Sequence, residues 1–281
     1  MKTWKKIVLG VSLISLFLGG GLVAWGYSQG GLTDLQNQTK SEQDYVKKEV
    51  KDFNKIDIKS SSYNVLIKNG DVDKATLSYY QKTKNPIDTS VKDGQLTIND
   101  NNSELDSTSN KHINFFGLKD LVRLSTLNKE VRNKTIVITL PKKQTIDFLK
   151  VDLATGNLDL SNSTIKQTDI NLNVGDLTFT KMIVSNLKAN LDVGSVDSNH
   201  TLFTNSDLSI AMGDYSGDNL IFNGHNKLDV TSGDIEIALK DYTLNVQADS
   251  HSGEVDITNN LKISKDNTLT ITSDLGDITV E

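Results

Sequence analysis

Seven short phrases constrain this chain more than anything else in it. LATGNLDL, LNVGDLTF, LDVGSVDS, IAMGDYSG, VTSGDIEI, SHSGEVDI and SDLGDITV carry Gly156, Gly175, Gly194, Gly213, Gly233, Gly253 and Gly276. The steps between these glycines are 19, 19, 19, 20, 20 and 23 residues. A nearly fixed period of that length marks a stacked-repeat architecture, in which each unit buries its apolar side only against its neighbours.

Aligning the phrases on their glycines shows how each unit is built. Five and three residues before the glycine stand Val151/Leu153, Ile170/Leu172, Ala189/Leu191, Leu208/Ile210 and Leu228/Val230; two and four after it stand Leu158/Leu160, Leu177/Phe179, Ile235/Ile237, Val255/Ile257 and Ile278/Val280. Each pair has the period of two that a half-buried strand requires. Three before and two after are five apart, an odd number, so a single straight strand cannot point both pairs inward. The chain therefore bends at the glycine, where Gly takes positive φ without penalty and Asp, Asn or Ser bonds to the local backbone.

A third apolar site follows about eight to eleven residues after the glycine, at Ile165, Ile183/Val184, Leu202/Phe203, Ile221/Phe222, Tyr242/Leu244 and Ile263. Three inward-facing segments per coil of about 20 residues describe an all-β fold, a parallel β-solenoid with an aliphatic interior. A meander of antiparallel hairpins is the competing arrangement, since Gly-Asp-bounded short strands also mark sandwiches. The regular step favours the solenoid. The 23-residue step into SDLGDITV predicts that the last coil in the sequence is irregular.

The N-terminus reads as a membrane address. Lys2, Lys5 and Lys6 form a basic flank, and Ile7 to Tyr27 is a 21-residue run without a charge. That run is about long enough, as a helix, to cross a hydrocarbon core of roughly 30 Å, and the flank keeps its N-terminal side cytoplasmic. The sequence thus predicts an N-terminal transmembrane helix with the repeat domain outside the cell membrane. A cleaved signal segment is the alternative, with Ala24 and Gly26 as its small residues. Residues 1–27 form the anchor or signal segment and residues 28–50 a polar stalk. Residues 51–281 form the solenoid, irregular over 51–149 and regular over 150–281.

Upstream of residue 150 the same grammar appears with more errors: Ile56/Ile58 and Val65/Ile67 flank SSSYN, Val91 precedes KDGQLTI, and TIVITLP with TIDFLKV leads into the first clean coil. An interruption separates them at residues 101–134, where Phe115, Leu118, Leu121 and Val122 recur at helical spacings. A short amphipathic cap over the solenoid fits this pattern, as does a helix that docks on a membrane protein or the bilayer surface.

Several kinds of chemistry have no foothold. The chain has no cysteine, which removes disulfides, thiol nucleophiles and cysteine zinc sites. His112, His200, His225 and His251 lack the spacing that puts two imidazoles on one metal and read as surface loop residues. Arg123 and Arg132 are the only arginines, and neither lies in the regular coils, where a polysaccharide-cleaving β-helix would stack basic residues among its acids. Carboxylates are abundant without any pair being singled out, so no catalytic residue and no cofactor is assigned.

The chain resembles the bacterial putative-adhesin family, a domain of unknown function built from β-strand repeats and also found in proteins of Lia-type cell-envelope stress operons. FNKIDIKSSSYNVLIKNGDVDKATLSY, TIVITLP and the repeated LNVGDLTF and VTSGDIEI units carry the resemblance, over about residues 50–281. It implies a solenoid-like ectodomain associated with the envelope and brings no catalytic residues with it. Gly194-Ser195 and Gly253-Glu254 depart from the Gly-Asp pattern.

Charge suggests a class of partner. Residues 150–281 hold 8 basic and 20 acidic groups, a net −12, in a chain of net −6. Such a field repels nucleic acid and attracts cations and cationic peptides. Asp176, Asp214 and Asp234, with Asp277, would form a ladder if the coils stack in register. A site for cations or cationic peptides is one reading of it, and turn chemistry at the corner is the other. The function expected is a non-enzymatic, membrane-anchored envelope module, either a stress sensor working with a membrane-protein partner or an adhesin that binds an envelope polymer.

Overall fold

The period of two on either side of each glycine produces strands that stop after three to nine residues and restart on a new face. The computed structural model describes residues 43–82, 86–100 and 134–281. The chain divides into two units, Met1–Gln43 and Asp44–Glu281, and the second holds the stacked coils. The residue 7–27 segment and the proposed helix over 101–134 lie outside the described residues, apart from Lys134. Among the described residues, no helix is long and apolar enough to cross a membrane.

One coil shows the plan. Strand β12 (Thr168–Val174) runs to the Gly175-Asp176 corner, β13 (Leu177–Thr180) to a second corner at Lys181, and β14 (Ile183–Ser185) to a third at Asn186. Lys181 and Asn186 both adopt left-handed backbone, with φ of 53° and 47°. The next coil repeats this with β15 (Leu187–Val193), β16 (Val196–Asn199) and β17 (Leu202–Thr204), paired in parallel and in register: Leu172 opposite Leu191, Leu177 opposite Val196, and Ile183 opposite Leu202. Three parallel faces result, a long one before each glycine, a second after it and a short third. This is the parallel β-solenoid that the repeat predicts.

The interior is a set of side-chain ladders. On the long face Val151, Ile170, Ala189, Leu208, Leu228 and Ile271 are buried. On the second face Leu158, Leu177, Val196, Tyr215, Ile235 and Ile278 are buried, and Ile165, Val184, Phe203 and Phe222 close the short side. Phe179 meets Phe203 edge-on at 5.3 Å, and Phe203 stacks on Phe222 at 5.7 Å. Such ladders remove apolar surface from water at about 25 cal/mol per Å².

Order in space departs from order in sequence at both ends. Strands β2 (Lys55–Ser60) and β3 (Asn64–Gly70) pair directly with β9 (Phe148–Thr155) and β10 (Leu158–Ser161). Outside them lie β6 (Gln95–Asn99) and β7 (Thr135–Pro141). This end is closed by antiparallel strands, β5 (Asp88–Lys92) on β6 and β4 (Thr76–Lys82) on β7, with β1 (Gln43–Glu49) beyond β4. The β5–β6 hairpin turns at Asp93-Gly94, whose φ values of 50° and 73° suit a two-residue Asp-Gly turn. Residues 43–49, read from sequence as the end of the stalk, are thus a strand. Val46 packs against the core and the Tyr45 ring meets that of Tyr80 at a tilt, with centroids 4.9 Å apart.

At the other end the final phrase lies inside. β24 (Thr268–Leu275) and β25 (Ile278–Val280) insert between the coil of β20 (His225–Ser232) and β21 (Ile235–Leu239) and that of β22 (Asn245–Ser252) and β23 (Val255–Ile257). The expectation of an irregular SDLGDITV coil is therefore corrected: Ile271 and Ile278 are fully buried, and the irregular coil is residues 245–257, which has a neighbour on one side only. Ile263, predicted to face inward, is 86% exposed because residues 258–267 leave the coil path to return the chain for β24.

Candidate interaction surfaces

The Gly-Asp corner is built by a chain of hydrogen bonds between coils. Asn64 Oδ1 accepts from the Asn157 N–H, Asn157 Oδ1 from Asp176, Asp176 Oδ1 from Ser195 and Ser195 Oγ from Asp214; Asp214 and Asp234 continue to Asp277, whose Oδ1 accepts from Glu254, at distances of 2.8 to 3.4 Å. Six of the seven corner glycines have φ between 140° and 149°, a conformation open in practice only to glycine, and Gly253 of the outermost coil lies outside that range. A Cβ on Gly194 would stand 1.9 Å from the Gly175 carbonyl oxygen. Close stacking thus demands glycine, and the residue after it must offer an acceptor.

This places the sequence-predicted ladder. Asp176, Asp214 and Asp234 lie on one edge, with Ser195 between the first two, and each spends a carboxylate oxygen on the backbone of the next coil. Turn chemistry accounts for Asp at these positions. Among the described residues no group of three His, Asp or Glu side chains is arranged to hold a metal ion.

The edge around the ladder is one-signed. Within four residues either side of the seven glycines there are fourteen Asp and Glu and no Lys or Arg. Burial holds the Asp159 carboxyl above its usual range, an effect opposed by a hydrogen bond from Thr178 and reinforced by the charge of Asp176. Along this acidic edge runs an aliphatic row that the sequence reading missed. Val174, Val193 and Met212 pair in register at the position before the glycine and are 48%, 43% and 59% exposed. By parity this position belongs with the inward residues three and five before the glycine, but the corner turns it outward. Ser232 interrupts the row and Leu275 resumes it.

A second outward row, Ile183, Leu202 and Ile221, runs along the short face. With Lys181, His200, Asn219 and Lys240 it lines a shallow groove of about 180 Å³. His200 is a corner residue with φ of 51°, and its Nε2 lies 3.2 Å from Asn219 Nδ2. His225 opens β20 beside Thr268 at 3.0 Å, and His251 is exposed on β22; they do not converge. His112 lies outside the described residues. Elsewhere Lys166 holds the Asp147 carboxyl below its usual range through a hydrogen bond and its charge, and Asp229 holds the Lys227 ammonium above its own.

The family described as Toastrack DUF4097 matches residues 53–281. This chain belongs to that family. The toastrack chain is similar to solved structures from several bacteria. A structure described as a putative cell adhesion protein from Clostridium sporogenes is 17% identical, with a TM-score of 0.35 over 85% of this chain and 98% of that one. A putative adhesin from Bacteroides fragilis is 15% identical, with a TM-score of 0.36 over 85% and 97%. A protein described as putative lipid binding, from Parabacteroides distasonis, is 12% identical, with a TM-score of 0.35 over 85% and 97%. No curated protein matches the chain.

Proposed function

We propose that this toastrack chain is a non-enzymatic interaction module of the cell envelope, anchored through residues 7–27 with its repeat domain outside the membrane, and that it acts as an envelope-stress sensor or regulator. The observation that carries this reading is the kind of surface the coils present. Outward rows repeat in register along parallel sheets, whereas the groove on the short face, at about 180 Å³, falls below the roughly 300 to 1,000 Å³ of small-molecule sites. Rows of that kind suit an extended macromolecular partner. The basic flank at Lys2, Lys5 and Lys6 and the charge-free run after it support the orientation.

An adhesive role is the second reading. It is favoured by a stack on the long face in which Asn171 donates to Asp152 and Asn190 to Asn171, both at 3.0 Å, a polar ladder suited to polymer hydroxyls.

Protease applied to intact cells is expected to remove the repeat domain and leave a membrane-embedded N-terminal fragment. Full protection of the domain, or mature protein in the medium starting near Tyr27, would overturn the anchored arrangement. A strain lacking the chain is expected to mount an altered envelope-stress response; an unaltered response with lost attachment to surfaces would select the adhesive role.

A further inference from the structure

The two outward aliphatic rows differ in the charge on their flanks, mixed for one and wholly acidic for the other, and that difference identifies an occupant for the acidic one. Ile183, Leu202 and Ile221 lie beside Lys181 and Lys240, with the exposed Asp218 three residues before Ile221. Val174, Val193 and Met212 are bordered by Asp192 on the long face, by Asp176 and Asp214 at the corner, and by Asp159 and Asp197 on the second face, with no cation within four residues of any corner glycine. Acidic side chains alone would make only a solvated edge. Three contiguous aliphatic side chains, each more than two-fifths exposed, stand in the middle of this one.

Resting on the interaction-module reading, we propose that the Val174–Val193–Met212 row is a docking strip for a cationic amphipathic segment, one with Lys or Arg on both sides of a line of aliphatic side chains. The spacing fits a helix lying along the stack. Successive coils are about 4.8 Å apart and successive turns of an α-helix about 5.4 Å, so an aliphatic residue per turn stays matched over three coils with a drift of roughly 1 Å. The aliphatic contact supplies specificity and a large share of affinity, while the carboxylates steer the approach and weaken with salt.

The test is calorimetric titration of the repeat-containing chain with an 18-residue Lys/Leu peptide of helical periodicity, against a scrambled peptide of the same composition. Val193→Ser with Met212→Ser removes two of the three side chains of the row, and Asp192→Asn with Asp197→Asn removes two flanking charges that take no part in the corner ladder. Ile183→Ser with Leu202→Ser alters the other row. The first two variants are expected to weaken binding about tenfold each, with unchanged melting temperature, while the third and the wild type bind alike. The scrambled peptide is expected to bind about tenfold more weakly than the periodic one. Equal binding of both peptides, or full affinity after loss of Val193 and Met212, would show a diffuse charge field and overturn the strip. Equal weakening by the Ile183/Leu202 variant would overturn its location. Each of these outcomes leaves the protease result untouched, so failure of the strip is distinct from failure of the envelope reading.

Discussion

The two ends of the stacked coils are closed in different ways. At the end nearest β1, strand direction reverses: β5 and β4 run antiparallel to the outermost parallel strands, and Ile87, Leu77 and Tyr79 from this layer are buried. At the other end direction never reverses. Chain order does, with residues 268–281 clamped between two earlier coils and residues 245–257 left outermost. The same ladder position shows the consequence, since Ile278 is fully buried and Val255 is 41% exposed. A parallel sheet edge offers unpaired backbone to any passing strand. One end blunts it with hairpins, whereas the other secures its final strands but leaves an outer edge with uncovered aliphatic positions.

Truncation breaks this comparison most severely. If coils stacked in sequence order, removing residues 268–281 would cost one terminal coil. Here it removes a coil paired on both sides, and with it the burial of Leu269, Ile271, Ile278 and Val280. At about 1.5 to 3 kcal/mol per fully buried aliphatic side chain, the loss approaches the roughly 5 to 15 kcal/mol that holds a domain folded. Hydrogen exchange is expected to show lost amide protection across residues 225–257. Protection of 245–257 at full-length levels would mean that those strands do not need β24 and β25.

This reversal of order was not legible in the sequence, for a physical reason. In-register repeats are related by translation, so the pattern of Val230 and Ile235 around Gly233 specifies a coil but not which other coil it meets. The corner glycines, the alternation at Leu172 and Leu177 and the short third side at Val184 and Phe203 were readable, because each depends only on local parity and turn chemistry. Strand β1 was not: QDYVKKE is mostly charged and gains its place through Val46 and the Tyr45–Tyr80 ring contact. The aliphatic strip was hidden as well, because Val174, Val193 and Met212 share the parity of core residues. Only the backbone turn at glycine shows that they point outward.

Glycine substitutions sharpen the contrast between the regular coils and the hairpin-closed end. Gly194→Ala would drive a Cβ to 1.9 Å from the backbone oxygen of Gly175 at a φ of 147°. Relief requires two coils to part, so the expected loss is at least ~3 kcal/mol. Gly94→Ala meets only the side-chain oxygen of Asn54, at 3.3 Å and a φ of 73°, and is expected to cost about 1 kcal/mol, the ordinary penalty for a left-handed non-glycine residue. Chemical denaturation of the two variants measures the difference. Similar losses would mean that coil spacing is softer than the backbone contacts imply.

The smallest effect separates the middle of the stack from its open edge with a single residue type. Val196 and Val255 occupy the same place, two residues after a corner glycine on the second face, and their registers run to Leu177 and Tyr215 in one case and to Ile278 alone in the other. Val196 is fully buried, so Val196→Ala removes two methyl groups from a closed interior and leaves a void bounded by neighbouring coils. The expected cost is on the order of 2 kcal/mol. Val255 is already 41% exposed, water replaces the lost methyls on its open side, and Val255→Ala is expected to cost under about 1 kcal/mol. Thermal denaturation at low protein concentration is the measurement, repeated at high concentration. A Val255 cost equal to that of Val196 under both conditions would show that the outer coil is covered within the same chain, and a cost that appears only at high concentration would show that a second molecule covers it.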